Sequence, residues 1–185
     1  MQEYILILCV GKRNTGKTTM GFKVAERSKK PIVVVKQGYH PAYESWQKIT
    51  IENIKKISGS KCVIDVDENS INECCDALIK YHKNLFIVFE DCANYIPQSI
   101  NRGGLKQIVI DLRKHGFDLL FMYHTLKFVP PFIAQMYNAL ILFKTTDTFD
   151  SSLNKYPNFS TIKQRGEKIN THKNPHYSEM ILDNE

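Results

Sequence analysis

The sequence predicts an α/β domain, a mostly parallel central sheet with helices on both faces. Two observations carry this. Apolar runs bounded by turn residues alternate along the chain with segments of helical periodicity, the pattern of strand–helix–strand units. The first apolar run also leads straight into a glycine-bracketed loop, Gly11 to Thr18, that opens the first helix.

The elements follow in order. Tyr4 to Val10 reads as the first strand. Lys17 to Lys30 reads as a helix with Met20, Phe22, Val24 and Ala25 as apolar members, ended by Pro31. Ile32 to Val35 is a short buried strand. Gly38 to Ile57 is polar and aromatic and contains Tyr39, Tyr43 and Trp46. Cys62 to Val66 is a strand near an edge. Ser70 to Tyr81 is a helix in which Ser70 as N-cap and Glu73 three residues on form a capping box. Leu85 to Phe89 is continuously apolar, hence a central strand, and it ends in Glu90-Asp91. Pro97 to Gly104 is a loop. Leu105 to Lys114 is a helix with Leu105, Ile108, Val109 and Leu112 on one face, stopped at Gly116. Asp118 to Tyr123 is a strand, Pro130-Pro131 opens a short helix, and Ala139 to Phe143 is the last core strand.

From Thr145 the pattern weakens. Residues 151–178 carry five Lys or Arg against one Glu, and both a strand hairpin and an ordered arm suit them. The expected organisation is a core over residues 1–148 and a basic C-terminal extension over 149–185, packed on the core or projecting from it.

Composition sets limits. A chain of 185 residues suits one domain, and 43% hydrophobic with 24% charged residues is the balance of a globular protein that buries a core without disulfides. Cys9, Cys62, Cys74, Cys75 and Cys92 are odd in number and fit neither CxxC metal pairs nor a disulfide framework, so they read as reduced core thiols. No run approaches the ~18 apolar residues of a membrane span. The first apolar run lacks the basic flank and cleavage site of a secretory leader, so a cytoplasmic location is expected. The net charge of +6 suits a polyanionic partner, although it is scattered except near the C-terminus.

Gly11-Lys12-Arg13-Asn14-Thr15-Gly16-Lys17-Thr18 satisfies the phosphate-loop pattern GxxxxGK[ST], or Walker A, at every fixed position. Glycines let backbone N–H groups curl around phosphate oxygens, and the following helix presents its positive end to the same anion. Lys17 is expected to reach the β- and γ-phosphates of ATP, and the Thr18 hydroxyl to ligate Mg²⁺. Thr19 is foremost a helix-start residue, within reach of the α-phosphate.

The second half of such a site is an acidic residue at the end of a central strand. Glu90 and Asp91 stand there. Glu90 is expected to ligate Mg²⁺, directly or through water, and Asp91 to orient and polarise the attacking water. Asp65-Val66-Asp67-Glu68, after a shorter and less hydrophobic strand, ranks below them. The run Asp118 to Thr125 ends in polar side chains, and His124 or Thr125 is the expected sensor of the γ-phosphate. Arg102, in a glycine-flanked loop, and Arg113, at the end of the next helix, are candidates to face a neighbouring subunit's nucleotide. For each the alternative is a solvated surface arginine.

Four stretches then stand in fixed order: GKRNTGKTT, LFIVFED, DLRKHGFDLLFMYHT and VPPFIAQMYNALILFK. Over residues 4–145 this resembles the FtsK–HerA superfamily of DNA-pumping ATPases, above all the viral genome-packaging ATPases of the poxvirus type and the zonula occludens toxin-like assembly ATPases of filamentous phages. The resemblance implies a RecA-like P-loop NTPase fold and an ATP hydrolase of the DNA-translocating motor type. It also implies a homo-oligomeric ring on DNA, double-stranded for packaging, with a capsid or portal protein as further partner. Two departures stand out. The superfamily usually has Asp-Glu where this chain has Glu90-Asp91, so the shorter acid takes the water-directing position. Its sensor is usually glutamine where this chain has His124. Lys155, Lys163, Arg165, Lys168 and Lys173 are the candidates for DNA phosphate contacts. Alternative readings are a phage assembly or secretion ATPase, a nucleotide-switched DNA-binding module with little turnover, and a small-molecule kinase, for which Tyr39 to Trp46 is the one candidate lid.

Overall fold

The computed structural model describes residues 4–58 and 60–183. Its frame is one sheet made from β1 (Leu6–Val10), β2 (Ile32–Lys36), β3 (Gln47–Ile49), β4 (Lys61–Asp65), β5 (Phe86–Phe89), β6 (Asp118–Tyr123), β7 (Ala139–Phe143) and β8 (Ser178–Leu182). The strand order is β3-β4-β2-β5-β6-β1-β7-β8. β1 to β7 run parallel, and β8 pairs antiparallel with β7. The central strands are buried along their whole length, which is why they read as unbroken apolar runs rather than as alternation.

The two faces are covered unequally. α1 (Lys17–Arg27) lies on one face, where Ala25, Met20, Phe22 and Val24 pack with Ile7, Cys9, Val34, Val88 and Met122. α2 (Ile71–Tyr81), α3 (Gly104–Ile110), α4 (Leu112–His115), α5 (Pro131–Ala134) and α6 (Phe159–Thr171) contribute to the core on the other face. All five cysteines are free and buried, as core thiols.

Two local expectations are corrected. Ser70 does precede α2, but its hydroxyl makes no capping bond to the helix. It donates instead to Asp67 Oδ1 at 2.6 Å, and that carboxylate also accepts the N–H groups of Asn69 and Ser70, so the turn is closed by Asp67. The helix expected over Leu105–Lys114 breaks at Asp111 (φ −93, ψ 12) into α3 and α4. The segment Gly38–Ile57 is ordered as two 3₁₀ turns, Pro41–Tyr43 and Ile51–Lys56, flanking edge strand β3. The strand expected over Cys62 to Val66 lies near the edge, as β4 next to β3.

The region after Thr145 is neither a plain hairpin nor a free arm. It forms α6 and then β8, which extends the sheet beyond β7. Ile162 and Ile169 of α6 enter the core. Asn170 Oδ1 accepts the N–H of Thr145 at 2.9 Å, and Asn158 Nδ2 donates to the Leu182 carbonyl at 2.8 Å.

Candidate active site

The carboxyl ends of β5, β6 and β1 lie side by side and carry, in that order, Glu90-Asp91, His124 and the glycine loop. The loop's shape depends on its two glycines. A Cβ on Gly11 would stand 2.5 Å from Phe143 Cβ, and Gly16 has φ +95, in the left-handed region. Thr15, buried, donates its hydroxyl to the Lys12 carbonyl at 2.9 Å and ties the loop to itself. Lys12, Arg13 and Asn14 form its exposed crest, and Thr19 is exposed on the first turn of α1.

Lys17 is only 8% exposed. Its ammonium donates to the Gly11 carbonyl at 2.6 Å and the Lys12 carbonyl at 3.0 Å, and stands 3.3 Å from His124 Nδ1. All three of its protons therefore have acceptors. Burial lowers its pKa from the ordinary lysine value, while Cys9, Asp91 and Glu90 act in the opposite sense. Below it, burial pushes the Cys9 thiol up to about 12, so Cys9 is a neutral floor to the site.

The Thr18 hydroxyl donates to Glu90 Oε1 at 2.7 Å. Glu90 is buried, and its Oε2 has no hydrogen-bond partner. A buried carboxylate oxygen without a partner costs free energy that a bound cation would recover. A hydroxyl and one carboxylate, with phosphate and water oxygens to complete the shell, suit Mg²⁺, which seldom takes an all-protein cage. Among the described residues no group of three or more His, Cys, Asp and Glu side chains could hold a metal.

Asp91 turns the chain out of the strand in a left-handed conformation (φ 50, ψ 45), one that Asp tolerates better than most residues. Its Oδ1 lies 3.1 Å from His124 Nε2. That hydrogen bond is the largest influence on Asp91 and lowers its pKa against the opposing effect of burial, with His124, Lys17 and His40 adding electrostatic support.

One contributor was not assigned from the sequence. Phe22, Tyr43 and Trp46 form an aromatic triangle with ring centroids 5.3–5.5 Å apart. The triangle seats Tyr43 at 1% exposure, with its buried hydroxyl unpartnered and close to Glu90. Burial and the neighbouring carboxylate both raise its pKa, so the hydroxyl stays protonated. The only local signal was the density of aromatic residues in an otherwise polar segment.

Other candidates take no part in these contacts. Thr125 has a buried hydroxyl without a partner. Asp65 ends β4, four strands from β1, and is engaged with the Gly38 N–H and Lys36. Arg102 is exposed in the loop leading to α3, at the carboxyl end of the sheet, where Gly103 meets Asn72 of α2. Arg113, also exposed, lies in α4 just before β6 begins, at the opposite end of the sheet from the glycine loop. Lys155 is not available for DNA, because its ammonium donates to the carbonyls of Lys127 (2.8 Å) and Val129. Arg165 and Lys168 both reach Glu179, whereas Lys163 and Lys173 are exposed.

A five-strand core of order β2-β5-β6-β1-β7, with a strand inserted between the phosphate-loop strand and the acidic strand, defines the class: a RecA-like P-loop NTPase fold. Comparison with solved structures gives the particular likeness. The genome packaging NTPase B204 from Sulfolobus turreted icosahedral virus 2, solved with sulfate, matches with TM-score 0.79 at 15% identity, covering 100% of this chain and 94% of that one. The same protein in complex with ATP-gammaS matches with TM-score 0.77 at 13% identity and the same coverage. The N-terminal domain of zonular occludens toxin from Neisseria meningitidis matches with TM-score 0.50 at 12% identity, over 77% of this chain and 78% of that one. No protein-family model matches the chain, and no curated protein matches it in sequence. Both of these proteins are of the kinds the sequence resembles.

Proposed function

We propose that this protein is a Mg²⁺-dependent ATPase that uses hydrolysis to move DNA, in viral genome packaging. The observation that carries the reading is the convergence of Lys17, the Thr18–Glu90 pair and the His124–Asp91 pair at the ends of three adjacent strands. Likeness along the whole chain to a protein described as a genome packaging NTPase supports the biological setting.

The roles follow from placement. The loop N–H groups and the α1 terminus bind the triphosphate. Lys17 exchanges its carbonyl acceptors for β- and γ-phosphate oxygens, and His124 is left to sense the γ-phosphate. Thr18 and Glu90 would hold Mg²⁺, which when bound would supply positive charge to the phosphate oxygens. Asp91 accepts a hydrogen bond from the attacking water and takes its proton as the new phosphorus–oxygen bond forms and ADP departs. A carboxylate held below its ordinary pKa is a weak base but a firm orienting acceptor. That suffices for phosphoryl transfer, where positioning outweighs proton abstraction. Arg102, exposed at the phosphate end of the sheet, is the arginine placed to complete a neighbour's site in a ring. The cytoplasm or the virion is the place of action, and no described helix is long and apolar enough to cross a membrane.

DNA-stimulated phosphate release by the purified protein tests the reading. Stimulation lost in Lys17→Ala supports it, and tight ATP binding without turnover on any DNA would replace the motor with a nucleotide switch. One observation favours a second reading, a small-molecule kinase. A cavity of about 310 Å³ is lined by Lys36, Tyr39, His40, Tyr43, Lys48 and Asp65 among others, and it shares Tyr43 with the surroundings of Glu90. Turnover that rises with a small hydroxylic acceptor and ignores DNA would select it.

A further inference from the structure

The acids, the sensor and the phosphate loop occupy β5, β6 and β1 in that order, and β7 and β8 continue the sheet on the other side of the loop. A triphosphate whose γ-phosphate lies at Asp91 and His124 therefore has its nucleoside leaving toward β7 and β8. β8 runs antiparallel, with Ser178 opposite Phe143, so residues 172–177 stand at the carboxyl end of β7. One of them borders the loop: a Cβ built on Gly16 would lie 3.7 Å from His176 Nδ1, and 3.9 Å from Phe143 Cε1 at the end of β7.

This segment carries a ring platform. The His172 and Tyr177 rings stack at 4.0 Å between centroids, 19° from parallel, and both are half-buried. The platform is braced. Tyr177 donates to Glu179 Oε1 at 2.6 Å, and Lys168 reaches the same oxygen at 2.6 Å. Asn174 Oδ1 accepts the His176 N–H at 2.9 Å, and the Asn174 N–H donates to His172 Nδ1 at 3.1 Å. With Nδ1 accepting, neutral His172 carries its proton on Nε2, an in-plane donor that suits a ribose hydroxyl. Rigid aromatic faces with a polar handle, one of them on the residue next in sequence to His176, suit a purine base.

We infer that the C-terminal segment 172–177 forms the nucleoside subsite, with the base of the nucleoside triphosphate stacked on the His172–Tyr177 pair and His176 bridging to the phosphate loop. The inference rests on the ATPase reading and adds the part of the ligand that the loop does not touch. It also gives the C-terminal extension a function other than DNA contact.

Calorimetric titration of the whole protein with ATP, AMP and inorganic tripolyphosphate separates the two claims. Wild type should bind ATP more tightly than tripolyphosphate and should bind AMP. His172→Ala should weaken ATP and AMP by about tenfold or more, the scale of one lost base stack, and leave tripolyphosphate unchanged. His172→Phe should recover most of the ATP affinity. ATP and AMP affinities unaltered in His172→Ala, or a parallel loss of tripolyphosphate, overturn the subsite. Wild type that binds tripolyphosphate as tightly as ATP also overturns it while leaving the phosphate site standing. Binding of none of the three ligands sinks the ATPase reading and the subsite together.

Discussion

His124 Nε2 stands 3.1 Å from Asp91 Oδ1, while the other nitrogen of the same ring stands 3.3 Å from the Lys17 ammonium. The ammonium can only donate, so Nδ1 accepts, the proton lies on Nε2, and His124 donates to Asp91. One imidazole thus couples the lysine of the phosphate loop to the second acid.

His124→Ala should raise the Asp91 pKa, because it removes the hydrogen bond that lowers it most and leaves burial unopposed by that bond. A depressed carboxylate pKa adds stability that is present above the unfolded value of about 3.9 and lost as pH falls through the folded value. The part of the wild-type stability advantage due to this bond should therefore be full above about pH 4 and fade below it. The acid limb of the kcat profile should move upward in His124→Ala, whereas His124→Gln, which keeps a donor, should leave it near its wild-type position. Profiles of both variants between about pH 3 and 8 check this.

Asp91→Asn should fold and bind ATP as wild type does, and should lose at least about a hundredfold in turnover. Asn accepts the left-handed backbone observed at this residue (φ 50) as readily as Asp. Asp91→Ala should lose turnover as well and also lower the melting temperature, because alanine meets a cost of about 1 kcal/mol there. Turnover of Asp91→Asn at the wild-type rate would reject the water-directing role.

The strands other than β3 and β8, the glycine loop and the acidic tip were legible because each is a local signal: a short apolar run, a fixed spacing, two carboxylates after five buried residues. The failures have two physical causes, competition from another hydrogen-bond partner and a pattern too weak to see. The Ser70 hydroxyl goes to Asp67, three residues back, instead of capping α2. Lys155 looked like a free cation until the carbonyls of Lys127 and Val129 were brought to it. α6 buries only Ile162, Gly166 and Ile169 in thirteen residues, too sparse a stripe to stand out. β8 shows only through its pairing with β7, and the approach of Tyr43 to Glu90 needs the aromatic triangle that the fold assembles.

Tyr43→Phe isolates that approach. The hydroxyl is buried without a hydrogen bond, so its removal should leave stability within about 1 kcal/mol of wild type or slightly above it. With Mg²⁺ bound, the hydroxyl is placed to donate to Glu90 and fix the carboxylate's orientation. The Mg²⁺ concentration needed for half-maximal ATP binding should then rise by about tenfold, the effect of losing a group that orients a metal ligand. Melting curves and Mg²⁺ titrations of ATP binding separate the two effects. An unchanged Mg²⁺ requirement would leave Tyr43 a packing residue.

Two helical glycines make opposite predictions from similar crowding. A Cβ on Gly104 would stand 2.3 Å from the Asn72 carbonyl oxygen and 2.7 Å from the Asp76 nitrogen, both backbone atoms of α2. Neither can move without shifting α2 against α3, and the Leu105 N–H bond to Asn72 Oδ1 at 3.2 Å would be disturbed as well. Gly104→Ala should therefore cost about 3 kcal/mol or more, the upper end of overpacking penalties. A Cβ on Gly21 meets Met122 Cε at 2.2 Å and Leu120 Cδ2 at 2.9 Å, the far ends of flexible side chains. These can rotate away, and alanine gains up to about 1 kcal/mol in helix propensity over glycine. Gly21→Ala should end within about 1 kcal/mol of wild type. Urea unfolding of the two variants side by side tests the contrast, and equal losses would show that side-chain adaptability on the α1 face is not what separates them.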